Sequence, residues 1–175
     1  MDYIIVGTDH PLQDSASSDT GLRDLLRSIV DTHPVVLIAE EVATSVYVLT
    51  FGCELVGENR WLSIDMDDKE RKRAGLDDIP LEEGPGYDPI THRDIPLVNR
   101  YHTKRETIRE TFWLNKIARW CEDRRLSTGT VVITCGHNHL DFLAEKAERR
   151  GHTVTKREYM SYDKEAVHGI FTICK

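Results

Sequence analysis

Three short stretches of the chain carry residue types at spacings suited to chemistry. Gly7-Thr8-Asp9-His10 and Gly136-His137-Asn138-His139 share the pattern Gly-x-x-His, each at the end of an apolar run, and Glu40-Glu41 closes a third run, Val35-Val36-Leu37-Ile38-Ala39. Glycine permits a sharp turn at such an end, and the histidine three positions on is then placed to reach over it. Imidazole nitrogens from His10 and His139 with a carboxylate from Glu40 or Glu41 make a three-ligand set of the type that binds Zn²⁺, Mn²⁺, Co²⁺ or Fe²⁺ and leaves a position for water. Such an ion lowers the pKa of bound water and polarises a carbonyl or phosphoryl oxygen, so the expected reaction is hydrolysis. The second carboxylate of the pair is then the candidate general base, with Asp9, His137 and Asp65 the nearest candidates for orienting or proton-transfer roles. The competing reading is local. Each histidine caps or hydrogen-bonds its own loop, and Glu40-Glu41 sits at a helix N-terminus, where a carboxylate gains about 0.3–1 kcal/mol.

Arg105 and Arg109 lie one helical turn apart and form a fork suited to a substrate carboxylate or phosphate, with His137 a third candidate for substrate binding. The alternative is a solvated helix face on which the two arginines pair with Glu106 and Glu110. The chain has no GxxxxGK[ST] loop, GxGxxG turn, GxSxG elbow or HExxH helix, so phosphate-loop, dinucleotide, serine-hydrolase and zincin sites gain no support. Lys69-Glu70-Arg71-Lys72-Arg73 reads as a solvated surface inside an acidic neighbourhood.

The paired GxxH motifs, the Glu40-Glu41 strand end and, more loosely, Arg109-Glu110-Thr111-Phe112-Trp113-Leu114 resemble a superfamily. It joins the TIKI proteases, the plasmid-encoded TraB proteins, the erythromycin esterases and the ChaN-like haem-iron proteins. These motifs run from residue 7 to 140, on few identities. Similarity to the TIKI-like branch implies a divalent metal (Mn, Co or Zn) on His10, His139 and Glu40 or Glu41, used to cleave an amide or ester bond. Similarity to the esterase branch implies a metal-free hydrolase in which His10 or His139 is the general base. The ChaN-like branch implies a haem-binding protein, for which Tyr3, Tyr47 and Tyr101 are the tyrosines at hand. A non-catalytic protein holding a small anionic ligand or a peptide in the same pocket is a further reading. The chain is much shorter than the two hydrolase branches, so the helical segments that form their substrate pockets are expected to be missing or reduced.

The elements that must position these residues alternate. Tyr3 to Val6 reads as a buried strand, and Leu22, Leu25, Leu26, Ile29 and Val30 fall on one helical face behind an Asp19-Thr20 start signal and before Pro34. Val35 to Ala39 is a strand buried on both faces. Val42, Val46, Leu49 and Cys53 recur at helical spacing, Trp61 to Ile64 is a third strand, and Asp65 to Asp68 place carboxylates at its end. Residues 69–94, with Glu82-Glu83-Gly84-Pro85-Gly86, predict an irregular loop or lid. Thr103 to about Arg124 predicts a long amphipathic helix, Thr130 to Thr134 a strand, and Leu140, Leu143, Ala144 and Ala147 a helix ended by Gly151. His152 to Thr155 and Gly169 to Cys174 are the last predicted strands. The expected fold is therefore one α/β domain over residues 1–175, a mostly parallel sheet flanked by helices with its site at the carboxyl ends of the strands.

Composition narrows the partners. With 23 Lys+Arg against 30 Asp+Glu the net charge is −7, which offers no broad footprint for nucleic acid and favours a small-molecule or peptide substrate. A 39% apolar fraction with three Trp and six Tyr still seeds a core. No run approaches the roughly 18 apolar residues of a membrane span, and Met1 to Gly7 lack the pattern of a signal peptide, so a cytoplasmic protein without membrane attachment is expected. Cys53, Cys121, Cys135 and Cys174 are widely spaced with no CxxC pair, which predicts free thiols.

Overall fold

The computed structural model describes residues 1–8, 20–42, 50–79, 87–88, 93–94 and 104–159. Five strands form one parallel sheet: β1 (Asp2–Thr8), β2 (Val35–Glu40), β3 (Trp61–Ser63), β6 (Thr130–Gly136) and β7 (Thr153–Tyr159), in the order β3-β2-β6-β1-β7. A separate two-residue pair, β4 (Tyr87–Asp88) and β5 (Arg93–Asp94), is antiparallel. The expected α/β architecture with a parallel central sheet is thus the one observed, and its helices are α1 (Gly21–Thr32), α2 (Phe51–Val56), α3 (Asp68–Arg73), α4 (Lys104–Asp123) and α5 (Leu140–Arg149).

Strand alternation divides the core in two. Tyr3, Ile5, Leu37, Ala39, Val131, Ile133 and Cys135 face α4 and α5, meeting Trp113, Leu114, Ile117, Leu140 and Leu143. Ile4, Val6, Ile38 and Val132 face the other way, against Leu22, Leu26 and Ile29 of α1 and Phe51 and Val56 of α2. The central strands are buried on both sides because helices cover both faces, which is why they read as continuous aliphatic runs. A register shift between Val35 and Leu37 against β6 places these two residues, two apart in sequence, on opposite faces.

Two elements depart from expectation. The helix predicted from Val42 begins instead at Phe51, where the Thr50 side chain accepts a hydrogen bond from the Cys53 amide. That threonine N-cap fixes the start of α2 at Phe51. Residues 43–49 of the same prediction lie outside the described residues. The irregular stretch predicted from Lys69 opens within α3, since Asp67 and Glu70 form a reciprocal capping box. Asp19 and the predicted strand Gly169 to Cys174 also lie outside the described residues. Among the described residues no helix is long and apolar enough to cross a membrane, and Cys53, Cys121 and Cys135 are free and buried.

Candidate active site

After β6 the chain turns to α5 on one face of the sheet, while its neighbours β1 and β2 lead to α1 and α2 on the other. Such a reversal opens a crevice at the carboxyl ends of the strands. Glu40 ends β2 at this edge and Glu41 follows it, and as successive residues the two point to opposite sides. Glu40 goes to the α2 side and is 0% exposed. Its carboxylate accepts from Thr50 Oγ1, from Trp61 Nε1 at 2.5 Å and from Thr134 Oγ1 at 3.2 Å. Burial holds its pKa above the ordinary carboxylate range, against the pull of these hydrogen bonds and of the Gly52 amide.

Glu41 goes to the α4 side. It accepts from Arg109 Nη2 at 2.5 Å and from the Gly136 amide at 2.8 Å, and its Oε1 lies 3.6 Å from His139 Nε2. His139, 5% exposed at the N-terminus of α5, makes a 2.9 Å hydrogen bond between Nδ1 and Glu110 Oε1. The edge of its ring meets Trp113, centroids 4.8 Å apart. Glu110 is 0% exposed, and its second oxygen accepts from Lys146 Nζ. Arg109 also donates to Asp65 Oδ1 at 3.0 Å and lies over the Trp113 ring. Two carboxylates on α4 and β2 therefore flank one imidazole, and an arginine ties one of them to the end of β3.

The electrostatics follow from this packing. Burial lowers the pKa of His139, but Glu41 and Glu110 outweigh it and the net shift is upward. Burial raises Glu110, yet its hydrogen bonds to His139 and Lys146 bring it below the usual range. For Arg109, burial is outweighed by Glu41 and Asp65 and the pKa rises. Three carboxylates (Glu41, Glu110, Asp65) pair with the side chains of Arg109 and Lys146.

The sequence-derived candidates separate as follows. His139, Glu41 and Arg109 come together, and Asp65 joins them through Arg109. Glu40 is on the opposite face. Arg105 donates to the carbonyls of Leu76 and Ile79 at 2.7 and 2.6 Å, which anchors the chain leaving α3. Arg109 pairs with Glu41 and Asp65, and the adjacent Glu110 turns instead to His139 and Lys146. His137 lies half-buried in the 3-10 turn that also carries His139. His10 and Asp9 lie outside the described residues, so the meeting of the two GxxH motifs is not described. Among the described residues no group of three His, Cys, Asp or Glu is placed to hold a metal ion.

The two glycines of the motifs serve different ends. A Cβ at Gly7 would lie 3.1 Å from Leu140 Cβ and Cδ2, so this glycine lets β1 approach the start of α5. Gly136 has φ −54 and ψ 141, a conformation open to other residues, and it contributes its amide to Glu41. Thr8 Oγ1, at the end of β1, and Trp113 Nε1 are buried with no hydrogen-bond partner among the described residues. Tyr3, a haem-ligand candidate, is stacked on His152 with centroids 4.3 Å apart near the amino end of β1, away from this edge; Tyr47 and Tyr101 lie outside the described residues.

Glu110 and Lys146 were missed as site residues, although a signal existed. Glu110 is three residues before Trp113 and seven before Ile117, so it falls on the apolar stripe of α4, where a carboxylate demands a partner. Compared with known proteins, the chain matches no family model, no curated protein and no solved structure.

Proposed function

We propose that the chain is a hydrolase of amide or ester bonds, acting on a small molecule or peptide, with His139 and Glu41 at its working centre and a divalent transition metal as cofactor. The observation that carries this reading is the setting of His139, whose Nδ1 is bonded to one buried carboxylate while Nε2 faces another. That is how a protein orients an imidazole for metal ligation or proton transfer. His139 Nε2, Glu41 and His10 would hold the ion, whose contribution is to acidify water and polarise the scissile carbonyl. Arg109 holds Glu41 in place and bonds it to Asp65, and Trp113 excludes water from the flank of the imidazole.

The test is elemental analysis of protein purified without chelator, and again after exposure to Mn²⁺, Co²⁺ or Zn²⁺. Near-stoichiometric metal in the native chain, lost in His10→Ala, His139→Ala and Glu41→Gln and kept in Glu40→Gln, is expected. Absence of metal under every condition overturns the metal-dependent form.

The metal-free form, with His139 as general base, is favoured by one observation: Arg109 Nη2 already sits 2.5 Å from the Glu41 oxygen that faces the imidazole. Ester hydrolysis that persists in chelator and disappears in His139→Ala would select it.

A further inference from the structure

Lys146 stands seven residues after His139, so both lie on one side of α5, and both reach Glu110 on α4. Lys146 also donates to the Thr107 carbonyl at 3.3 Å, one turn before Glu110, which ties its ammonium to α4 at two points. An ammonium has only hydrogens to give, so the Glu110 oxygen facing it must accept. The other oxygen of an ionised carboxylate can also only accept, and it lies 2.9 Å from His139 Nδ1. The hydrogen between them therefore belongs to the imidazole. On the far side of the ring, Nε2 is 3.6 Å from Glu41 Oε1, beyond hydrogen-bond length, so no bond to this carboxylate occupies it.

We propose that Lys146, acting through Glu110, sets the tautomer of His139, with hydrogen on Nδ1 and the lone pair on Nε2, the nitrogen that faces Glu41 Oε1 across 3.6 Å. Lys146 and Glu110 are positioning residues. The value of this tautomer to the chain rests on the hydrolase reading, since a lone pair on Nε2 is what a metal ion or an attacking water requires. The geometry of the four side chains does not rest on it.

A substitution distinguishes this device from simple packing. In Glu110→Gln the donor-only ammonium of Lys146 takes the amide oxygen and turns the amide NH₂ towards His139, so Nδ1 must accept and the hydrogen moves to Nε2. In Glu110→Gln combined with Lys146→Glu, the acceptor now at 146 takes the NH₂ and returns the amide oxygen to Nδ1. The readout is long-range ¹H–¹⁵N correlation of histidine-labelled protein at a pH where the imidazoles are neutral, the His139 signals being assigned by their loss in His139→Gln. The wild type is expected with hydrogen on Nδ1, the single variant with hydrogen on Nε2, and the double variant as the wild type. Uptake of Mn²⁺ or Zn²⁺ is expected to weaken about ten- to a hundredfold in Glu110→Gln and to recover in the double variant.

Hydrogen on Nε2 in the wild type overturns the proposal, and that measurement decides even should Glu110→Gln not fold. An unchanged tautomer in a folded Glu110→Gln overturns the part given to Lys146. A wild type that has the expected tautomer but takes up no metal, and hydrolyses nothing with or without chelator, overturns the hydrolase reading and leaves the tautomer assignment standing.

Discussion

Glu40 and Glu41 have the same side chain and adjacent positions, and the pleat of β2 gives them opposite lives. Glu40 is enclosed by Thr50, Trp61 and Thr134 on the α2 side, whereas Glu41 meets Arg109, Gly136 and His139 on the α4 side. Their difference is testable by conservative and apolar replacement. In Glu40→Gln the amide oxygen can accept from Thr50 and Trp61 while the amide NH₂ donates to the Thr134 hydroxyl, so the side chain keeps its three side-chain partners. This variant is expected within about 1 kcal/mol of the wild type. Glu40→Leu leaves the buried Thr50 and Thr134 hydroxyls without an acceptor, at about 1–3 kcal/mol for each, and takes the acceptor from the half-buried Trp61 indole N–H. Urea denaturation of the two variants checks the order, and an equal loss in both would refute the network as a stabilising unit. At this scale the sequence was partly legible. Two glutamates ending a buried strand announce that one lies on each face, but which face holds the histidine depends on how β2 enters the sheet, and the register shift near Val36 is not visible in residue types.

At the scale of elements, the strongly periodic segments were legible and the edges were not. The aliphatic runs of β1, β2 and β6 and the apolar stripes of α1, α4 and α5 declare their partners, because each buries a face that water would otherwise contact. Short elements obey local capping chemistry instead, so α3 was hidden in a charged run, and the start of α2 depended on Thr50. The strand β7, last in the order of the described sheet, shows a further mode of attachment. Its side chains are mostly exposed, and it is held by pairing with β1 and, just before it starts, by the stacking of His152 on Tyr3. Burial, with help from the N-terminal amine and Arg150, lowers the His152 pKa below its ordinary value near 6.5. The unfolded chain therefore binds this proton more readily than the folded one, so the contribution of His152 to stability is complete above about pH 6.5 and declines as the pH falls through the folded-state pKa. His152→Phe keeps an aromatic ring against Tyr3 and removes the titration. The difference in unfolding free energy between wild type and variant, measured by denaturant titration from pH 8 to 5, is expected to move in favour of the variant on acidification. A difference that stays constant with pH would show that His152 does not carry this linkage.

Over the whole molecule, three buried thiols among the described residues mark three layers of one sheet protein: Cys53 on α2, Cys121 on α4 and Cys135 in the central strand β6. Burial is the leading cause that raises the pKa of each, and for the fully enclosed Cys135 the shift is large. A thiol reagent attacks the thiolate, so reaction requires an opening that both exposes the sulfur and restores its ordinary acidity. The openings differ in extent. Cys53 (8% exposed) and Cys121 (7%) lie on helices at the outside of the two layers, while Cys135 (0%) has strands on either side and helices over both faces. Local unfolding of a helix releases the first two, but β6 pairs with both β1 and β2 and cannot leave without dissolving the sheet. In a Cys174→Ser background, labelling of Cys135 is therefore expected to be slowest and to accelerate with urea as steeply as global unfolding does. Cys53 and Cys121 are expected to label faster, with a shallower dependence. Equal rates for all three at low denaturant would mean that the layers open as one unit and that the helices have no independent motion. Labelling of Cys135 ahead of Cys53 would contradict the placement of β6 at the centre, and with it the crevice in which Glu41 and His139 meet.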